Sequence, residues 1–281
     1  MSYADKCFKK MCRDIINHGT NTKGEKVRPK WVDDGSFAYT IKKFGVVHEY
    51  DLRKEFPALT LRRVALKSAM DEILWIYQKK SNRIKDLNSH IWDSWTDKFG
   101  TIGTAYGWVI GHEFNWKDKM IDQMDYVLEQ LKESPFSRRI ITNMYQFDYL
   151  ETGHLDPCAY SMTYNVTDEN GELVLNAILN QRSQDILAAN GWNVAQYAIL
   201  LMMVAQVSNM KAGKLIHVIA DAHIYDRHIP MIKELLGRKE FKAPIVKLNP
   251  EVKNFYEFTT DDLIVENYKY GEQIKNIPIA V

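Results

Sequence analysis

Cys158 follows Pro157, which fixes φ and offers no backbone N–H, so its thiol is expected where a strand begins and the chain is rigid. A lone cysteine there is either a small buried hydrophobe or a nucleophile whose thiolate is favoured by nearby cations. Arg28, Arg138, Arg139 and Arg182 are the candidate cations, and Asp156 would oppose them. The pair Arg138-Arg139 after Ser-Pro-Phe-Ser fits a solvated turn or a bidentate grip on a phosphate dianion, and Ser183 beside Arg182 adds a hydroxyl donor. Glu72 lies on an apolar helical face. It is either a solvated rim carboxylate or a buried acid with a raised pKa suited to proton transfer near neutrality. Asn193 opens the most apolar segment, as a helix cap or as an amide facing a heterocycle with one donor and one acceptor. Asp221, His223 and Tyr225 alternate in DAHIY. With no second His at HxxxH spacing and no cysteine near, hydroxyl recognition is favoured there and a metal site is not expected.

Periodicity supplies the elements that must hold these groups. The spacing predicts a helix over 3–18 with Tyr3, Cys7, Phe8, Met11 and Ile15 on one side, ended by Gly19. Loops and a strand or two, with short alternating pieces such as Gly45–Tyr50, fill the region from Thr20 to Pro57, with a DDG turn at 33–35. Further helices are expected over Leu61–Tyr77, Asp118–Glu133, 193–208 and Ile229–Leu236. Period-two stretches at 158–166 and 172–182 flank Asn170-Gly171, a strong hairpin signal, and 214–221 reads as another core strand. Short strands and loops complete the chain. With no internal repeat, linker or composition break, one mixed α+β domain spanning 1–281 is the simplest reading.

Composition bounds the function. The 281 residues are 46% apolar and 26% charged, with 8 Pro and 14 Gly, which excludes collagen-like and wholly disordered classes. A formal charge of +1 provides no global field for a nucleic-acid lattice or an anionic membrane, so a bound anion must be held locally. Three cysteines without CxxC spacing argue against a disulfide framework or a zinc site and for a reducing compartment. The longest apolar run, Tyr197 to Ala205, is about half of the ~18 residues that span a bilayer. No secretory signal is apparent, so a cytoplasmic protein without membrane contact is expected. The glycines form neither GxGxxG nor GxxxxGK[ST].

Read together, PCAYS (157–161), NQRSQD (180–185), NVAQY (193–197) and DAHIYDRH (221–228) resemble the thymidylate synthase family. The likeness extends in order through VRPKW (27–31), DEILW (71–75), HIWDSW (90–95), AYG (105–107), SRR (137–139) and NPEVKNFYEFTTDD (249–262). It implies a single-domain α+β fold, a large mixed sheet covered by helices that dimerises through sheet faces. The implied reaction is reductive methylation of dUMP to dTMP with 5,10-methylenetetrahydrofolate as carbon and hydride donor, without metal or nicotinamide. Cys158 would add to uracil C6. Glu72, Asn193 and Tyr106 would complete the catalytic set. Arg28, Arg182, Ser183, His223 and Tyr225 would bind the nucleotide, with Arg138 and Arg139 donated by the second subunit of a homodimer. Glu72, Trp92, Asp185 and Val281 would contact the folate. Asn193, where cytosine-acting relatives carry Asp, implies a uracil base.

Three positions depart from the commoner family pattern: Ala159 where many members have His, Val109 where they have Gln, and Asn190-Gly191-Trp192 where they have a Gly-x-Pro-Phe turn. A deoxyuridylate hydroxymethylase, in which water quenches the exocyclic methylene, is the nearest alternative. A non-catalytic nucleotide- or RNA-binding protein is a more distant one, since binding alone needs no thiol.

Overall fold

The period-two stretches around Asn170-Gly171 do pair as a long hairpin, and it organises a molecule that a computed structural model describes over residues 1–281. Along the chain come α1 (Tyr3–His18), β1 (Thr20–Asn21), β2 (Thr40–Asp51), α2 (Leu66–Ile73), α3 (Gly107–Ile110), β3 (Phe114–Trp116), β4 (Lys119–Ile121) and α4 (Gln123–Glu133). They are followed by β5 (Ile141–Asn143), β6 (Ala159–Glu169), β7 (Glu172–Asp185), α5 (Asn190–Val207), β8 (Lys211–Tyr225), α6 (Ile229–Gly237), β9 (Ile245–Leu248) and β10 (Leu263–Glu266). Six strands form one mixed sheet in the order β1-β2-β8-β7-β6-β5. Its β7–β8 pair is parallel, because α5 supplies the crossover that a parallel connection needs.

Helix α5 is apolar on every side and therefore buried on every side, with Val194, Tyr197, Ile199, Leu200, Leu201 and Val204 in the core. It lies between the sheet and α2. Strand β8 sends Leu215, His217 and Ile219 into that core, and Ile216 and Val218 to the opposite face. On that opposite face Ile216, Ile178, Thr163 and Ile141 sit in register across four strands. No helix covers this row, where Ile141 and Ile178 are 42% and 39% exposed.

Two expected helices start later than their apolar pattern. Residues 61–65 are drawn out because tertiary partners take their backbone groups: Arg238 donates to the Leu61 carbonyl and the Val64 N–H donates to the Tyr268 hydroxyl. The helix then begins at Leu66 and widens into a π-turn over Leu74–Gln78, which buries both Trp75 and Tyr77. Further along, Lys117 and Asp118 adopt φ of 48° and 64° as the two-residue turn between β3 and β4, so α4 waits until Asp122 caps Met124 and Asp125. The start of α5 lies earlier than expected, at Asn190.

Tyr106, just before α3, is a non-glycine residue at φ 49° and ψ −109°, a conformation that must be held by its surroundings. Gly107 is part of that hold. A Cβ there would come within 2.3 Å of the Ser81 carbonyl oxygen. Gly107→Ala should therefore destabilise the protein by about 1–3 kcal/mol in urea unfolding, by forcing the two backbones apart. An unchanged midpoint would show that the Ser81 segment yields freely.

Candidate functional site

The sheet itself brings the site together. Because β7 and β8 run parallel, their C-terminal ends coincide, pairing Ser183 with Asp221 and Asp185 with His223. The antiparallel β6 begins at the same edge, where Ala159 pairs with Gln181. Cys158, Arg182, Ser183, Asp185, Asp221, His223 and Tyr225 therefore share one end of the sheet. The carboxyl ends of parallel strands are where open α/β sheets commonly carry ligands.

Around Cys158 the contacts close into a ring. Arg182 donates through Nε to the Pro157 carbonyl (3.0 Å) and through Nη2 to the Asp156 carbonyl (2.7 Å), and Nη2 lies 3.7 Å from the thiol sulfur. The Cys158 N–H donates to the Tyr106 hydroxyl at 3.2 Å. The Tyr106 ring meets Trp92 edge to face at 4.7 Å, and the Trp92 indole N–H donates to Glu72 Oε1 at 2.9 Å. The other oxygen, Oε2, accepts from the Trp192 indole at 2.6 Å. Asn193, the next residue, accepts from Gln181, which neighbours Arg182 and completes the circuit.

Burial opposes ionisation of the Cys158 thiol and raises its pKa; Arg182 and, less strongly, Arg28 work in the other direction, while Asp156 adds to the rise. The cations and the opposing acid named from the sequence are thus the ones that act, except for Arg138 and Arg139. Those two are exposed in the turn before β5 and pair with no acidic side chain of this chain. Of the two readings open for Glu72, the structure takes the buried one. The side chain is 5% exposed, and loss of hydration lifts its carboxyl from 4.5 to about 7, against the pull of the Trp192 and Trp92 indoles. Burial also holds the Tyr106 phenol well above its ordinary value, so its hydroxyl keeps its proton near neutrality.

Asn193 does not cap its helix, because α5 has already begun at Asn190 and the Asn193 N–H bonds back to the Ala189 carbonyl. Its side chain instead joins a buried amide chain. His217 is held neutral by burial, with its pKa down at about 3, and its Nε2 lies 2.8 Å from Gln181 Oε1. That oxygen can only accept, so His217 donates to it, as does Gln184 Nε2. Gln181 is thereby turned to donate its Nε2 to Asn193 Oδ1 at 3.1 Å, and Asn193 Nδ2 donates to Gln196 Oε1 at 3.0 Å. One Asn193 acceptor site and one N–H remain. They match a ring that presents a carbonyl next to an N–H.

Of the remaining expected residues, His223 sits between Asp221, 2.9 Å from its Nδ1, and the Tyr225 ring at 5.0 Å; Lys42 bonds the other oxygen of Asp221. Asp185 Oδ1 accepts from the Leu187 and Ala188 N–H groups. Burial works against its charge, but His228 and these backbone donors keep its pKa below the usual value. Arg28 is exposed in the loop after β1. Two residues further on, Lys30 exchanges backbone hydrogen bonds of 2.8 and 3.0 Å with Val281, tying the C-terminal segment to that loop. The sequence reading missed Gln181, Gln184, Gln196 and His217 as site residues. Alternation in 214–221 marks His217 as inward-facing, and Gln181 and Gln184 lie inside NQRSQD; only their mutual hydrogen bonds show that they act together.

Comparison with known proteins finds relatives along nearly the whole chain. The model of the thymidylate synthase family matches residues 6–281. The chain is similar to thymidylate synthase 1 of Bacillus subtilis (strain 168), 41% identical over 278 residues covering 98% of each chain. It is also similar to the thymidylate synthase of Clostridium beijerinckii, 38% identical over 283 residues and again 98% of each. Among solved structures, the thermostable thymidylate synthase A from Bacillus subtilis superposes with a TM-score of 0.92, covering 100% of both chains at 41% identity.

The buried carboxyl of Glu72 makes a testable statement about stability. Its folded pKa lies above its unfolded one, so below about 4.5 both states hold the proton, and between there and about 7 the unfolded state releases it first. Stability from this group therefore falls as pH rises through that window, by about 3 kcal/mol at most. Urea unfolding of wild type and Glu72→Gln should show the variant gaining relative stability as pH rises from about 4.5 to about 7. A pH-independent difference would mean that Glu72 is not protonated in the folded chain at the acid end.

Proposed function

The chain belongs to the thymidylate synthase family and acts as a methyltransferase that converts dUMP to dTMP, and we propose that the ring of contacts around Cys158 is where the methyl group is made. The observation that carries this assignment of residues is the convergence of a thiol, a guanidinium, a buried carboxyl and an oriented amide on one end of the sheet. Uracil is electrophilic at C6 toward a soft nucleophile, and Cys158 is the thiol placed to add there. Addition of the Cys158 sulfur to C6 pushes electron density to C5 and O4. Asn193 donates its free N–H to O4 and accepts N3–H, so it recognises the base and stabilises that density. Glu72, acting through water, moves protons at O4. With its pKa near 7, it can both hold and release a proton at working pH. Tyr106 fixes the Cys158 backbone, and the sulfur is expelled again when the product leaves.

Bound 5,10-methylenetetrahydrofolate supplies both the one-carbon unit and the hydride. The residues present fit it: Asp185 keeps Oδ2 clear of the backbone donors that occupy Oδ1, Trp92 stands between Tyr106 and Glu72, and the Val281 segment lies against the loop that carries Arg28. Arg28, Arg182 and Ser183 hold the dUMP phosphate, and His223 with Tyr225 takes the deoxyribose 3'-hydroxyl. Asp221, bridged to Lys42, sets the His223 ring.

The uncovered sheet face supports a homodimer. Ile141, Thr163, Ile178 and Ile216 run across it in register, and Val47, 57% exposed, adds to an apolar surface larger than scattered single residues provide. Arg138 and Arg139, exposed and without an acidic partner in their own chain, are then free to reach a neighbour's phosphate site. The whole span 1–281 acts as one catalytic domain. No helix is long and apolar enough to cross a membrane, and the three unpaired cysteines suit a reducing cytoplasm.

Incubation with dUMP and 5,10-methylenetetrahydrofolate should yield dTMP and dihydrofolate. Hydroxymethyl-dUMP with tetrahydrofolate would replace hydride transfer by hydration, and no turnover would leave only binding. Asn193→Asp should weaken dUMP by about 1–3 kcal/mol and admit dCMP, because the amide chain then presents a mispaired group to uracil. An unaltered preference would place base recognition elsewhere.

A further inference from the structure

No cation stands on the Glu72 carboxylate. Its two oxygens are each met by an indole N–H, Trp92 at 2.9 Å on Oε1 and Trp192 at 2.6 Å on Oε2. Trp92 belongs to the loop before α3, Glu72 to α2 and Trp192 to the first turn of α5, so the carboxylate is pinned between three separate segments. Trp192 is also one of the positions where the chain departs from the commoner pattern, and Ala159, another, has only a methyl group to offer. Gln196, one turn along α5 from Trp192, is 2% exposed and its Nε2 has no hydrogen-bond partner.

We propose that Trp192 is a positioning residue for the reaction: its indole N–H, opposite that of Trp92, forms a two-sided clamp that fixes the plane of the Glu72 carboxylate and keeps it ready to receive a proton. This rests on the role given to Glu72 above. The chemistry of the clamp is specific. An indole N–H donates and never accepts, and it does not ionise in the working range, so neither tryptophan can take the proton from Glu72. Proton traffic is confined to Glu72 and the water it works through. Two donors on the carboxylate also favour its ionised form, offsetting part of the burial that disfavours it. The other titratable groups facing the carboxylate are Asp71 on α2, Tyr106 before α3 and Tyr197 on α5. Burial keeps both phenols protonated. On the α5 side Gln196 accepts from Asn193 through Oε1, so the amide chain ends one helical turn from the clamp.

Trp192→Phe keeps the ring and removes the N–H. Loss of a donor to the charged form makes the carboxyl harder to ionise, so the rising limb of kcat against pH should move about one unit toward higher pH. KM for dUMP should stay within about twofold, since Trp192 touches none of the phosphate-binding residues. A uniform fall in kcat with the limb unmoved would reduce Trp192 to packing and overturn the clamp. The unmodified protein gives a reading that does not depend on a variant's folding. Among the seven tryptophans, the indole N–H resonances of Trp92 and Trp192 should titrate together with a midpoint near 7, and neither should do so in Glu72→Gln. A Trp192 resonance that is flat from about pH 5 to 9 would overturn the proposal. Absence of dTMP formation by wild type would instead overturn the parent reading of Glu72, with the resonance still reporting the clamp.

Discussion

In the mechanism proposed for Cys158 a sulfur anion forms where burial opposes it, and the groups around the thiol bear on that constraint. Desolvation lifts the Cys158 thiol above its ordinary range, and Arg182 is the principal group pulling the other way. The guanidinium earns its place by geometry as well as charge: two of its hydrogen bonds go to the carbonyls of Asp156 and Pro157, so the cation is fixed to the same rigid segment that carries the sulfur. A dimer that brings Arg138 and Arg139 to a neighbour's phosphate site would place further positive charge at this end of the sheet, in the direction that favours thiolate. In that proposal the attacking sulfur and the phosphate site would share their electrostatics.

The same logic, a polar group held against burial by fixed partners, runs through the rest of the site. Neutral His217 orients Gln181, Gln181 orients Asn193, and the last amide in the series is left with one donor and one acceptor for a base. Burial lifts the Glu72 carboxyl to about 7, against the pull of the two indoles that hold its oxygens. These groups meet neighbouring side chains within the core, and the neighbours define the chemistry. The fold's contribution is to end β7 and β8 at one level and to begin β6 there too.

Much of this was legible in the sequence. The Asn-Gly hairpin, the buried helix that became α5 and the inward strand β8 follow from local periodicity, and the spaced motifs name the residues that meet. What periodicity missed lies where tertiary hydrogen bonds override local preference. Residues 61–65 share the apolar pattern of α2 but give their backbone groups to Arg238 and Tyr268. Asn193 has the look of a helix cap because a strongly apolar run follows it, yet the helix starts a turn earlier and frees its side chain for the amide chain. Gln181 and His217 are 36 residues apart in sequence, and only the parallel pairing of β7 with β8 makes them neighbours.

The central claim is that Cys158 bonds to C6 and so makes C5 reactive, which requires the C5 proton to be lost. The most direct measurement is release of tritium from dUMP labelled at C5, in the presence of 5,10-methylenetetrahydrofolate, by wild type and by Cys158→Ser with dUMP binding verified in both. Release by wild type and none by the serine variant is the expected result. Comparable release by both would mean that C5 is activated without the thiol, contradicting the covalent route.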